Sequence, residues 1–90
     1  MRVTISVYAV LREVLGWKSR VVEIEGRDRA TLREVLQRVP KLFEKVVDGD
    51  RIAEGFIVLV NGIHAQFVGG LEALIEDSTS IDIFPPGGGG

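Results

Sequence analysis

The chain has 90 residues, 46% of them hydrophobic, which suits one domain with a modest core and is too apolar for a disordered segment. Its 11 Lys and Arg against 13 Asp and Glu leave a formal net charge of −2, with the two signs interspersed, so there is no basic footprint for nucleic acid. The lack of cysteine excludes disulfides, thiolate metal sites and a cysteine nucleophile, and the single histidine, His64, cannot build a metal centre alone.

Residues 2–8, RVTISVY, alternate, with Val3, Ile5 and Val7 on one side, and predict a half-buried strand. The same alternation replaces the apolar stretch of a signal peptide, and no apolar run is long enough to span a bilayer. The expected location is cytoplasmic, away from membranes. Ala9 to Leu15 reads as a short helix with Leu11, Val14 and Leu15 as its stripe, stopped by Gly16. Residues 20–25 predict a second strand with Val22 and Ile24 inward, paired with the first, followed by a charged turn over 26–29.

The main helix is expected over 31–39. Thr31 and Glu34 fit a capping box, and Leu32, Val35, Leu36 and Val39 fall on one helical face. Pro40 ends that ladder, and 41–47 reads as another short helical turn before the turn residues Asp48, Gly49 and Asp50. The run FIVLV, 56–60, is apolar on both parities. It is either a strand covered on both faces or one with a covered and a sticky face. Asn61-Gly62 is a tight-turn signal. Residues 63–68 predict a short strand, 71–75 one helical turn, and 80–84 a last strand with Ile81 and Ile83 on one face. The order is β-β-α-β-β-β, an α+β fold with one main helix on a small mixed sheet. Residues 1–84 form the domain and 85–90 a flexible tail.

That tail, Pro85-Pro86-Gly87-Gly88-Gly89-Gly90, is expected neither to fold nor to pack. The prolines fix φ, lack N–H donors and end sheet pairing, which launches the chain in an extended course. The glycines give the thinnest section and the freest backbone. Six residues at ~3.3–3.6 Å each span roughly 20 Å when extended.

Three segments carry a family likeness. Tyr8-Ala9-Val10-Leu11-Arg12-Glu13 with Gly16, then Val60-Asn61-Gly62, then Ile83-Phe84-Pro85-Pro86 with Gly89-Gly90, stand in order along the whole chain. Together they resemble the MoaD-type small subunit of molybdopterin synthase, a sulfur carrier of the ubiquitin-like β-grasp superfamily. The sequence departs from that pattern at 76–79, Glu-Asp-Ser-Thr in place of Asp-Gly-Asp, and in having glycine at both 87 and 88.

The resemblance implies that the reactive group is the terminal carboxylate of Gly90. An E1-like, MoeB-type enzyme would adenylate it with ATP and magnesium, and a sulfur donor would convert it to a thiocarboxylate. That sulfur would pass to a pterin precursor in a larger MoaE-type partner. The carrier itself would bind no cofactor and contribute no catalytic side chain. Phe84, with Pro85, Pro86, Gly87, Gly88 and Gly89, would serve docking and presentation of the tail, Phe84 joining one parity of FIVLV in an exposed apolar patch. Which parity faces out stays open. A protein modifier joined through Gly90 to target lysines is the alternative, since the same adenylation serves both. Thiazole-type carriage is less favoured, and a β-grasp binding module with an inert tail is the plain alternative. Arg12 and Glu13 read as a solvated or ion-paired helix face, with partner contact the lesser alternative, and His64 carries no role. Asp48, Asp50 and Glu54 lack the calcium-loop pattern, and no Lys-Ser/Thr or helix follows the glycines as a phosphate loop requires.

Overall fold

In the computed structural model, which describes residues 1–87, the first alternating run forms β1 (Arg2–Val7) with Val3, Ile5 and Val7 buried. A short helix, α1 (Val10–Leu15), follows and stops at Gly16 in the left-handed region, φ 84°. Its apolar stripe is narrower than expected: Leu11 is buried, Leu15 half-buried and Val14 exposed. A helix of under two turns meets the core along one line, and Val14 falls off it. The next strand, β2 (Ser19–Glu23), pairs antiparallel with β1 and forms the edge of the sheet.

The charged turn ends sooner than expected, because Arg29–Thr31 already forms a strand, β3. Thr31 then caps α2 (Leu32–Gln37). Its hydroxyl accepts from the Glu34 N–H at 3.1 Å, and the Glu34 carboxylate accepts from the Thr31 N–H at 3.1 Å. This is the expected capping box, and it satisfies two donors that a helix start otherwise leaves bare. Leu32, Val35, Leu36 and Val39 are all buried as expected, although α2 ends at Gln37 and Val39 caps the next helix. That helix, α3 (Pro40–Val46), is longer than the single turn expected. Pro40 not only closes one helix but opens another, because its missing N–H has no partner to lose at a first helical position.

The Asp48-Gly49-Asp50 turn joins two two-residue strands, β4 (Val47–Asp48) and β5 (Arg51–Ile52). The apolar run becomes β6 (Ile57–Val60), linked to β7 (Ile63–His64) by Asn61 and Gly62, both at positive φ. Two such residues give the hairpin turn whose twist matches the strands. The expected strand over 63–68 is cut short after His64. Its Nδ1 accepts from the Gln66 N–H at 3.3 Å, and Ala65–Phe67 coils into a 3-10 turn. The helical turn expected at 71–75 is split between a 3-10 turn, Gly70–Glu72, and a strand, β8 (Leu74–Glu76), which pairs antiparallel with β3.

The last strand, β9 (Ser80–Phe84), lies in the middle of a five-stranded sheet ordered β2-β1-β9-β6-β7, parallel to β1 and antiparallel to β6. The five strands expected from sequence are those of this sheet, and the ribbons β3–β8 and β4–β5 are additions to it. Val3, Ile5, Val7, Val58, Ile81 and Ile83 share one core with the buried face of α2. The helix side of the sheet is therefore closed, and function has the opposite side and the open end of β9 to use.

Candidate functional site

Ile81 and Ile83 are fully buried, so the alternation of a strand turns Asp82 and Phe84 to the outer face. The register of β6 on β9 places Ile57 opposite Phe84 and Leu59 opposite Asp82. Ile57 and Leu59 thus share that outer face, while Val58 opposite Ile83 is fully buried. This settles the parity that the all-apolar run left open. Ile57 is 44% exposed, and Leu59 is half-buried beside it. The patch continues toward the hairpin end, where His64 pairs with Leu59 and its ring meets the exposed Phe67 edge-on, centroids 6.0 Å apart.

Phe84 is half-buried because of Tyr8. The parallel register sets Val7 beside Ile83, and one step further Tyr8 stands beside Phe84. Their rings stack with centroids 4.3 Å apart and 12° between planes. The Tyr8 hydroxyl donates to Asp82 Oδ1 at 2.7 Å. That bond holds the hydroxyl above the ordinary tyrosine range, with partial burial and the negative charge of Asp82 adding to the effect and Arg12 opposing it. The Arg12 guanidinium lies 4.8 Å from the centre of the Tyr8 ring, and its Nε donates to the Val7 carbonyl at 2.7 Å. Arg12 is therefore not the solvated or ion-paired residue expected from sequence. Its flat cation lies over the Tyr8 ring of the stacked pair, a use that a helix-face reading does not anticipate. Glu13 is exposed.

Beyond Phe84 the chain leaves regular structure. Pro85 is half-buried, Pro86 and Gly87 are exposed, and none of the three belongs to a helix or strand. Gly88, Gly89 and Gly90 lie outside the described residues. The structure thus brings Phe84 together with Tyr8, Arg12, Asp82, Ile57 and Leu59 at the root of the tail. Sequence reasoning singled out the Tyr8–Glu13 run but not its stack on Phe84. It also missed Gly55, which faces Pro86 across the end of the ladder. No helix among the described residues is long and apolar enough to cross a membrane.

The profile of the ThiS family matches residues 5–90. The chain belongs to the ThiS family. Within this ThiS-family likeness, the chain is 26% identical over 94 residues to small archaeal modifier protein 3 of Haloferax volcanii, spanning all of both proteins. The crystal structure of small archaeal modifier protein 1 from Haloferax volcanii superposes with a TM-score of 0.80 at 26% identity, over 100% of each chain. A chain of the BexX/CysO complex of Amycolatopsis orientalis superposes with a TM-score of 0.77 at 30% identity, covering 98% of this chain and 99% of that one. These likenesses fix the fold as ubiquitin-like β-grasp and the group as the small ubiquitin-like sulfur carriers and modifiers.

Proposed function

We propose that this ThiS-family chain is a sulfur carrier for molybdopterin synthesis, activated at the carboxylate of Gly90. The observation that carries the reading is the end of β9: a central strand that stops at Phe84-Pro85-Pro86 beside a partly exposed apolar face. A central strand makes a rigid base for a tail, and an apolar face at that base gives a partner something to grip. The three matching segments around Tyr8, Asn61 and Phe84 support the molybdopterin branch of the family.

In this reading the outer face docks an E1-like, MoeB-type enzyme that holds ATP and magnesium. A carboxylate oxygen of Gly90 attacks the α-phosphorus and pyrophosphate leaves. Sulfur from a hydrosulfide donor then attacks the acyl carbon, AMP leaves, and one oxygen of Gly90 has been exchanged for sulfur. This chain offers the carboxylate and its presentation; the partner supplies the electrostatics of the reaction. The thiocarboxylate then hands its sulfur to a pterin precursor held by a MoaE-type subunit.

The test is incubation with the cognate adenylating enzyme, ATP, magnesium and sulfide. Intact mass should report one oxygen replaced by sulfur, fragmentation should place it on Gly90, and the product should support dithiolene formation with the MoaE-type subunit. Deleting Gly89 and Gly90 should abolish the product and leave the domain folded. A deleted protein modified as well as the native one would refute the carrier reading. Full-length likeness to two small archaeal modifier proteins favours a second reading, conjugation through Gly90 to lysines. Isopeptide-linked species in lysate, formed in place of dithiolene product, would select it.

A further inference from the structure

We propose that Gly55 is a positioning residue for the tail: its missing side chain seats Pro86 against the start of β6, and that seat sets the direction in which the chain leaves the sheet. The inference rests on the carrier reading above.

The register between β6 and β9 runs from Val60 opposite Ile81 to Ile57 opposite Phe84. Carried two residues further, it places Gly55 opposite Pro86. The hydrogen-bonded ladder cannot follow, since Pro86 has no N–H to give. The two backbones still stay close. A Cβ built on Gly55 would lie 2.9 Å from Pro86 Cγ and 3.0 Å from Pro86 Cβ. Those atoms belong to a closed ring, which cannot swing aside as a flexible side chain does. Gly55 also sits at φ +86°, where a side chain is strained in any surroundings. The turn that delivers it is closed by the Phe56 N–H donating to the Ala53 carbonyl at 3.2 Å.

The other neighbour of β9 holds the residue two places earlier, through the stack of Tyr8 on Phe84. The chain is thus gripped from both flanking strands as it leaves the sheet, at Phe84 by an aromatic ring and at Pro86 by the absence of a side chain. Oriented attack tolerates little misplacement, so the heading at Pro86 bears directly on where the carboxylate arrives.

Gly16 provides a matched control. It has nearly the same backbone angle, φ +84°, and nothing within 4 Å of the position its Cβ would take. Gly55→Ala and Gly16→Ala therefore both put a side chain at nearly the same positive φ, but only the first displaces Pro86. Each variant, as the full chain, is assayed with the cognate adenylating enzyme by ATP–pyrophosphate exchange, with melting curves to match their stabilities. Gly55→Ala should lower kcat by about tenfold or more with KM unchanged, because the docking face is intact. Gly16→Ala should keep the native kcat. The double variant Gly55→Ala/Pro86→Gly, which removes the ring that the new Cβ meets, should regain part of the lost rate. Independently of any enzyme, nuclear Overhauser cross-peaks should join the Gly55 α-protons to the Pro86 ring protons in the native chain. A native kcat for Gly55→Ala, an equal loss from Gly16→Ala, or missing cross-peaks would overturn the proposal. If the native chain forms no adenylate, the carrier reading fails, and the cross-peaks still decide whether the seat exists.

Discussion

Ile57→Asp puts a charge on the outer face at its tail end, and its effect can be sized from the structure. Ile57 is 44% exposed and stands opposite Phe84, beside the root of the tail. Fully burying an isoleucine contributes about 1.5–3 kcal/mol, so covering the exposed share under a partner contributes about 1 kcal/mol. Aspartate forfeits that gain and brings a carboxylate that must lose water without a partner, about 1–3 kcal/mol more. The total of about 2–4 kcal/mol corresponds to a Kd weaker by about 30- to 700-fold. The fold should survive, because the side chain points away from the core. Calorimetric titration against the adenylating enzyme measures the change. Leu74→Asp is the control, since Leu74 is 61% exposed on β8, outside the main sheet. Phe84→Asp should act as Ile57→Asp does, with some loss of stability because the ring also stacks on Tyr8. A native Kd for Ile57→Asp, or an equal loss from Leu74→Asp, would show that this face does not dock the enzyme.

Leu36→Ala should destabilise the domain by about 2–5 kcal/mol in denaturant unfolding, since the side chain is fully buried in the shared core. The single tyrosine should ionise above its ordinary 10.0 in an ultraviolet titration, and Asp82→Asn should bring the midpoint back down. The sign follows from the raised folded value: the stability this bond contributes is present below the unfolded pKa and is lost as pH rises through the folded one. Glu34 runs the other way. Its bonds to Arg27 and to the Thr31 N–H hold its carboxyl at about 2, below the ordinary 4.5, so its contribution is present above about 4.5 and fades as pH falls toward 2. Glu34→Gln should flatten that acid limb in pH-dependent melting.

Strong local signals, carried by residues one to four places apart, were readable from the sequence. Alternation in β1, the capping box at Thr31 and Glu34, the stop at Gly16 and the turn at Asn61-Gly62 all follow from local backbone chemistry, and all stand in the structure. The end of the ladder after Phe84 was legible for a similar reason, since Pro85 and Pro86 have no N–H to continue it, and residues 85–87 lie outside helix and strand. Short segments escaped, because two or three residues do not establish a period: β3, β4, β5 and β8 exist only through the partners they find. Pairing also decided what composition could not. Both parities of 56–60 are apolar, and only the register on β9 turned Ile57 and Leu59 outward. Tyr8 and Asp82 are 74 residues apart in the chain, and Gly55 meets Pro86 with the whole of β6 to β9 between them. The parallel pairing of β1 with β9 and the antiparallel pairing of β6 with β9 bring these groups to one end of the sheet. A side-chain stack and a gap the width of a missing Cβ are properties of that pairing, which no local pattern encodes.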